Sequence, residues 1–360
     1  MSKVQKQKQA KPLVGIIMAL LALTVGCAPL VQPAPNPIQP SATLPSASVP
    51  SATPNASDAG EVTASGITLA YERFGPTDGE AILLIAGTGM QMVDWPMPLV
   101  NALVARDYGV IRFDNRDIGR STHLDEAGLP DSAAIEKALT AGAAPPLPYT
   151  IRDMAADTVG LLDALGIDQA HIVGASQGGA IAQMVAIDYP ARVRSLTLLM
   201  ADSANPAMPV VAKPEAFANV PPQPQDANDR DAYIEWQVKA WQALNGPDYP
   251  LDEATLREWA ARDFERGYDP AGFARQGTAI LVDRYEPTAY RHSHLESISA
   301  PTVIVQGEAD PIVPVAAAEE LAALIPNAEL RLIPGLGHNI PDPVVPQIVD
   351  AITAAAEQFK

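Results

Sequence analysis

The chain has 360 residues, 48% of them hydrophobic, and carries a formal net charge of −18. Its length suits one large domain with an insertion, once an N-terminal stretch of different composition is set aside. The acidic balance argues against nucleic acid and anionic lipid headgroups as partners, since both require a basic protein face.

The first 27 residues have the order of regions typical of an export signal. Four lysines precede an apolar run at 13–25, which is short for a membrane span. The run ends at Gly26-Cys27, and Cys27 is the single cysteine, so no intramolecular disulfide can form. Residues 23–27, LTVGC, resemble a bacterial lipobox in which Thr24 departs from the usual leucine. The sequence therefore predicts export and lipid attachment at Cys27 on the extracytoplasmic face of a bacterial membrane; a simply cleaved signal or an uncleaved anchor is the alternative.

Residues 28–60 are rich in proline, alanine and serine, and contain no aromatic residue and no amphipathic period. This composition is typical of a tether rather than of a folded domain. In an extended polyproline conformation it would reach on the order of 100 Å.

From residue 61 the pattern becomes regular. It predicts an antiparallel hairpin around Ser65-Gly66, followed by short apolar strands that alternate with helices. Strands are predicted at 81–85, 110–113, 171–173, 196–200, 302–305 and 330–333, and helices at 97–107, 151–165 and 177–189. This alternation predicts an α/β fold with a mostly parallel sheet and helices on both faces.

Residues 203–295 interrupt that alternation, because they contain no clear strand and hold three of the four tryptophans. We predict a helical cap inserted between the sixth and seventh strands, above the carboxyl edge of a core formed by 61–202 and 296–360. Most of its aromatic side chains would form its own core, and two or three would face a pocket.

A glycine-flanked serine follows the strand predicted at 171–173 and leads directly into a helix. The sequence at 174–178, GASQG, is that of the nucleophile elbow of serine hydrolases, a turn too tight for a Cβ at the flanking positions. Ser176 would then lie at a helix N-terminus, where free N–H groups favour negative charge. The alternative is an ordinary glycine-serine turn that ends a buried strand.

Two later motifs supply the groups that a serine nucleophile needs, a base and an acid that orients it. Asp310 follows the strand predicted at 302–305, and His338 lies on a glycine-rich turn after the strand at 330–333. The chain order serine, acid, histidine is that of the α/β-hydrolase fold.

The stretches GASQGG, GEADPIVP and GLGHNIP together resemble the α/β-hydrolases over nearly all of residues 61–357. The stretch VIRFDNRDIGRST and the tail that begins with GLGHNIP resemble the subgroup containing aclacinomycin methylesterase, with proline iminopeptidases as more distant relatives. The resemblance implies that Ser176 is the nucleophile, His338 the general base and acid, and Asp310 the orienting carboxylate. Glu308 is the rival acid; Asp310 is preferred because the family's acid follows its strand by such a short turn and precedes an apolar segment.

The same fold implies an oxyanion hole formed by the backbone N–H of Gln177 and by a second N–H from the loop after the strand at 81–85. Many relatives have His-Gly where this chain has Ala86-Gly87. We predict Thr88 as the second donor, with Gly87 as the alternative. Asp94 and Trp95 follow at the expected pocket wall, where they would otherwise serve as an N-cap and a packing residue.

The remaining polar motifs predict structure rather than chemistry. The turn at 114–121 is interpreted as a hydrogen-bonded structural loop. His292 and His294 lack a third ligand, so no metal site is predicted, and His123 and His171 are interpreted as surface or strand-edge residues. No phosphate-binding or dinucleotide motif is present in the sequence, and no cofactor is predicted.

These patterns predict a cofactor-independent serine hydrolase acting on a small-molecule ester with a substantial apolar part. One alternative is a proline-iminopeptidase-like aminopeptidase, which would need cap carboxylates such as Glu235 or Asp263 to hold the substrate amine. The other is a non-catalytic surface lipoprotein that binds an apolar ligand in the same pocket.

Overall fold

A computed structural model describes residues 58–208 and 212–359. The predicted signal, Cys27 and residues 28–57 of the predicted tether lie outside the described residues. The first strand begins at Asp58, three residues before the predicted start of the core. No helix in the described part of the chain is long and apolar enough to cross a membrane.

The centre of the described structure is an eight-stranded sheet with the order β1-β2-β4-β3-β5-β6-β7-β8. Its strands are β1 Asp58–Ala64, β2 Ile67–Phe74, β3 Ala81–Ile85, β4 Gly109–Phe113, β5 Ala170–Ala175, β6 Val193–Leu199, β7 Thr302–Gly307 and β8 Glu329–Ile333. The β1–β2 and β2–β4 pairs are antiparallel, and every other neighbouring pair is parallel. The predicted α/β fold with a mostly parallel sheet is confirmed.

The described helices longer than one turn are α1 Met97–Val104, α2 Ser132–Ala141, α3 Ile151–Ala164, α4 Gln177–Asp188, α5 Arg230–Leu244, α6 Glu253–Arg266, α7 Pro270–Tyr285, α8 Tyr290–His294, α9 Val315–Leu324 and α10 Val345–Glu357. Helix α2 was not predicted. Only its Ile135 is buried, so this helix contributes little to the core.

Helices cover both faces of the sheet because successive strand side chains point to opposite sides. In β3, Leu83 and Ile85 join the core under α3, α4 and α9, whereas Ile82 and Leu84 join the core under α1 and α10. All four side chains are fully buried. Buried strands of this kind read as continuous apolar runs, which is why they could be predicted without any alternation.

The segment 203–295 divides into two parts. Helices α5 and α6 pack on each other through a hydrophobic cluster that includes Tyr233, Trp236 and Leu256; we call this pair of helices and the residues between them the outer cap. Helix α7 instead lies against the sheet domain, and its Ala279 belongs to the core shared with α3 and α4. The boundary between cap and core therefore lies within residues 203–295, because α7 packs with the core.

Candidate active site

The turn between β5 and α4 holds Ser176 in a strained conformation, with φ +54° and ψ −119°. A Cβ on Gly174 would lie 2.2 Å from the Gly178 carbonyl oxygen, and one on Gly178 would lie 2.0 Å from that of Ile85. Both contacts are with backbone, so no side chain could move aside. Glycine is thus required on both sides of Ser176, as the elbow motif predicts.

His338 lies after β8 and is hydrogen-bonded to the acid predicted to orient it. Its Nδ1 is 2.7 Å from Asp310 Oδ2, and both residues are buried. The other Asp310 oxygen accepts the backbone N–H groups of Ile312 and Val313 at 2.7 and 2.8 Å, and Gln306 Nε2 donates to Oδ2 at 3.0 Å. Each acceptor position of the carboxylate therefore faces a donor.

Burial alone would raise the pKa of Asp310, but the neighbouring His338 and these hydrogen bonds outweigh it and hold the pKa below the ordinary value. Asp310 is therefore an anion at neutral pH. Glu308, the rival acid, is exposed on the same loop. This geometry favours Asp310 over Glu308.

The carboxyl ends of four parallel strands converge on one cavity. Ser176 follows β5, His338 follows β8, and the loop with Thr88 follows β3; all three line the cavity, as does Gln177. Asp310 follows β7 and stands behind His338. Loops at this edge of a parallel sheet are the usual location of ligand sites in open α/β folds.

The predicted oxyanion loop lies directly against the elbow. A Cβ on Gly87 would be 3.2 Å from the Cβ of Ser176. The Gly89 N–H donates to Gln276 Oε1 at 2.9 Å and is not available to a ligand, so Gly87 and Thr88 stay as the candidate donors of this loop. Gln177 is the first residue of α4, where the backbone N–H has no intrahelical acceptor.

Gln276 of helix α7 connects the groups around this loop, and the sequence analysis missed it. It is fully buried, its Nε2 donates to the Arg116 carbonyl at 2.7 Å, and its own carbonyl accepts Gln177 Nε2 at 2.8 Å. A single glutamine far along the chain gives no sequence signal; only the fold brings it beside Gly89 and Gln177.

The turn at 114–121 is structural, as predicted. Asp114 is fully buried, accepts the Met92 N–H at 2.7 Å and pairs with Arg266 at 2.6 Å. Asp117 forms a bidentate pair with Arg275 at 2.8 Å for both bonds. Burial raises the pKa of Asp114 despite the opposing effect of Arg266. The turn thereby fastens α6 and α7 to the end of β4.

Asp94 lies at the cavity wall but is not the N-cap of the next helix, because that position in α1 is Pro96. The Asp94 carboxylate caps its own turn by accepting the Gln91 N–H at 2.9 Å, and it also lines the cavity. It pairs with Arg262 at 2.6 Å. Trp95 is 1% exposed and packs in the core under α1, so it is a packing residue.

The two cap carboxylates considered for binding a substrate amine are engaged elsewhere. Asp263 is buried against Asp94 and Arg262, and its pKa is raised well above the ordinary value by burial and then by the Asp94 charge. Glu235 is exposed and pairs with Arg257 at 2.9 Å. Among the described residues that line the cavity, neither is present.

The cavity has a volume of about 410 Å³ and lies between the catalytic edge of the sheet and the outer cap. Its lining is mostly apolar and includes five cap aromatics, more than the two or three expected: Phe217, Trp236, Trp241, Trp259 and Phe273. Arg284 and Arg291 also reach it, but they pair with Asp202 at 2.6 Å and Asp283 at 2.8 Å, respectively. The charges of this wall are therefore compensated.

The interpretation of His171 as a surface or strand-edge residue was wrong, whereas His123 is partly exposed on a loop. His171 is 1% exposed in the central strand β5, where its Nδ1 is 2.8 Å from Ser195 Oγ. His123 is half-buried, 3.0 Å from Asp269. The carboxylates near His123 approach the spacing of metal ligands, but Arg275 already pairs with both Asp117 and Asp269. The guanidinium supplies the positive charge that a metal would bring.

Comparison with known proteins identifies the family of this chain and several hydrolases that are similar to it. The family described as alpha/beta hydrolase fold matches residues 80–342. Rhodomycin D methylesterase DauP of Streptomyces sp. (strain C5) is 29% identical over 311 residues, 81% of this chain and 96% of the relative. The proposed carbamate hydrolase RutD of Variovorax paradoxus (strain S110) is 32% identical over 275 residues, 75% of this chain and 89% of the relative.

A solved structure extends the comparison to three dimensions. The enol-lactonase from Burkholderia xenovorans LB400 matches with a TM-score of 0.60 and 23% identity, over 83% of this chain and 99% of its own. At that identity the likeness concerns the fold alone.

Proposed function

Because the chain belongs to the α/β-hydrolase family and is a hydrolase with methylesterase relatives, we propose that it is a serine esterase with Ser176 as nucleophile, His338 as base and Asp310 as orienting acid. The observation that carries the proposal is the 2.7 Å bond between His338 Nδ1 and Asp310, beside a strained elbow serine in one cavity.

In the acylation step, Ser176 Oγ attacks the ester carbonyl carbon while His338 Nε2 accepts the hydroxyl proton. The bond to Asp310 keeps the proton of the neutral ring on Nδ1, so that Nε2 is the free base. The protonated ring then gives its proton to the leaving alcohol as the C–O bond breaks. A water molecule, deprotonated by the same ring, hydrolyses the acyl-enzyme and restores Ser176.

The backbone N–H groups of Thr88 and Gln177 are proposed to bind the carbonyl oxygen as it becomes negative. Such donors act on the transition state more than on the substrate, and removing one typically lowers kcat by about 10²–10³-fold. The strained backbone at Ser176 supports the role of this residue as nucleophile, because the elbow directs the Ser176 hydroxyl away from the sheet and towards the cavity.

The apolar cavity favours an ester with a substantial apolar part. Its tryptophans offer large, rigid, hydrophobic surfaces, and burying apolar substrate area against them stabilises the complex by about 25 cal/mol per Å². The aminopeptidase alternative receives less support, since Glu235 and Asp263 are absent from the described lining and Asp94 is paired with Arg262. A function limited to ligand binding would give no reason for an ionised, fully bonded acid behind His338.

We further propose that the enzyme works outside the cytoplasm, held to a membrane through Cys27. This rests on the sequence of residues 1–27 alone.

The test combines a probe with a substrate panel. A fluorophosphonate should label Ser176, and Ser176→Ala should abolish both labelling and turnover. On the same purified sample, aryl and methyl esters of bulky apolar acids should give a higher kcat/KM than N-terminal proline amides. Faster cleavage of the amides would favour the aminopeptidase, and labelling without any turnover would favour the binding protein.

A further inference from the structure

The loop that carries His338 is held by the outer cap as well as by the sheet. We call residues 335–338 the histidine loop. The backbone N–H of His338 donates to the carbonyl of Leu244, the last residue of α5, at 2.8 Å. On the same side, the Asp248 N–H points to the Gly335 carbonyl at 3.4 Å. The end of α5 therefore takes part in fixing the backbone position of His338.

Glycines on both sides make this contact possible. A Cβ on Gly246 would lie 2.0 Å from the Gly335 carbonyl oxygen and 2.4 Å from the Gly337 nitrogen. A Cβ on Gly337 would lie 2.1 Å from the Leu244 carbonyl oxygen. The two backbones touch directly, with no side chain between them that could absorb a displacement.

A side-chain hydrogen bond crosses the same junction. Asn339 Nδ2, next to His338 in the chain, donates to Asn245 Oδ1 at 2.7 Å. Asn245 is half-buried and lies outside the described lining of the cavity, so changing it leaves the cavity wall intact. Backbone and side-chain contacts thus act together on one short stretch of the histidine loop.

We infer that residues 244–246 of the outer cap form a positioning element for His338, so that the base is aligned with Ser176 only while the end of α5 is seated on the histidine loop. Asp310 fixes one ring nitrogen, and the Leu244 carbonyl fixes the backbone from which the ring extends. The inference rests on the proposed role of His338 as general base.

The cavity wall and the positioning element share one helix. Helix α5 carries Trp236 and Trp241, which line the cavity, and the end of the same helix contacts the histidine loop. Substitutions confined to residues 244–246 leave both tryptophans unaltered.

Gly246→Ala tests this directly. The backbone φ of Gly246 is outside the positive range, so alanine adds only a Cβ, and the 2.0 Å contact forces the two backbones apart. A displacement of about 1 Å at a catalytic group can lower kcat on the order of 100-fold. The matched control is Gly60→Ala in β1, where the nearest atom would be 3.7 Å away.

We expect kcat and the rate of fluorophosphonate labelling of Ser176 to fall together in Gly246→Ala, by about 100-fold. The Kd of a non-covalent apolar ester analogue and the melting temperature should change little. Gly60→Ala should match the wild type in every measurement. A variant that keeps kcat within twofold would overturn the inference, as would parallel losses in ligand binding and melting temperature, because these indicate general damage.

A second variant decides the question if Gly246→Ala does not fold. Asn245→Ala removes the bond to Asn339 without adding an atom, and we expect kcat to fall about fivefold with KM unchanged, the effect of one hydrogen bond. An unchanged kcat would overturn the inference. Wild-type turnover that persists in Ser176→Ala would instead overturn the proposed function, so the two failures are distinguishable.

Discussion

Replacing Arg275 by leucine removes the cation of a buried ion pair that ties α7 to the turn after β4, together with the Arg275 bonds to Asp269 and to the Gly128 carbonyl at 3.0 and 2.9 Å. The Arg275 side chain is 1% exposed and forms two 2.8 Å bonds to Asp117, whose side chain is fully buried. Leucine would leave that carboxylate without its cation. Breaking a buried pair in this way destabilises a protein by about 3–5 kcal/mol.

In Arg275→Leu, Asp117 would still accept the Leu124 N–H at 2.7 Å. We therefore expect the free energy of unfolding to fall by about 3 kcal/mol, near the lower end of that range. In urea unfolding followed by tryptophan fluorescence, this should lower the midpoint by up to about 1 M, since the urea dependence of the free energy of unfolding is about 3 kcal/mol/M or more for a domain of this size. The control is Arg257→Leu on α6, which removes an equal charge from an exposed pair with Glu235 and should leave the midpoint within error.

A second substitution tests the stated cause. Asp117→Asn in the Arg275→Leu background removes the unpaired charge, so it should recover part of the lost stability. If Arg275→Leu lowers the free energy of unfolding by less than about 1 kcal/mol, or if the added Asp117→Asn destabilises further, the explanation by a buried unpaired charge is wrong.

Four further predictions follow from the same structure and sequence. Asp310→Asn should lower kcat far more than Glu308→Gln, and the reverse ranking would reassign the acid. The raised pKa of Asp263 means that the folded protein binds its proton more tightly than the unfolded chain, so this carboxyl group should lower the melting temperature as pH rises from about 4 through that raised value. Asp263→Asn should make the fall in melting temperature shallower without abolishing it, because burial also raises the pKa of Asp94 and Asp114. Deleting the outer cap alone should leave a folded core detectable by circular dichroism, whereas deleting all of 203–295 should abolish folding, because α7 belongs to the core. Mass spectrometry should find a diacylated N-terminus at Cys27; an unmodified terminus elsewhere, or unchanged membrane association in Cys27→Ser, would reject the anchor.

Those parts of the fold that depend on local patterns could be predicted from the sequence. The parallel strands inside the sheet are buried on both faces, so they contain short continuous apolar runs, whereas β8 at the edge is only partly buried. The elbow needs glycines at fixed positions around Ser176. The acid and the histidine were found because parallel strands bring the residues that follow them to one edge. Asp310 comes three residues after the end of β7, and His338 comes five residues after the end of β8.

Contacts between distant segments could not be predicted in the same way. Gln276 and Arg275 lie on α7, and neither residue type is unusual in a helix. Gln276 is 187 residues from Gly89 in the oxyanion loop, and both residues are about 160 residues from their partners in the turn after β4. The sequence shows that the histidine loop contains glycines, but only the structure explains why: Gly246 of the cap packs directly against the backbone of this loop. His171 was predicted to lie at the surface or at a strand edge because it is polar. In the structure it lies inside the sheet, where its Nδ1 forms a hydrogen bond with Ser195 Oγ.

The central claim, that Ser176 is acylated during turnover, can be tested by trapping the intermediate. A p-nitrophenyl ester is mixed with excess enzyme, quenched with acid within milliseconds, and the digested protein is analysed by mass spectrometry. We expect an added acyl mass on the peptide that contains Ser176, and no adduct in Ser176→Ala. Turnover with the acyl group on another residue, or an adduct that forms equally in Ser176→Ala, would contradict it.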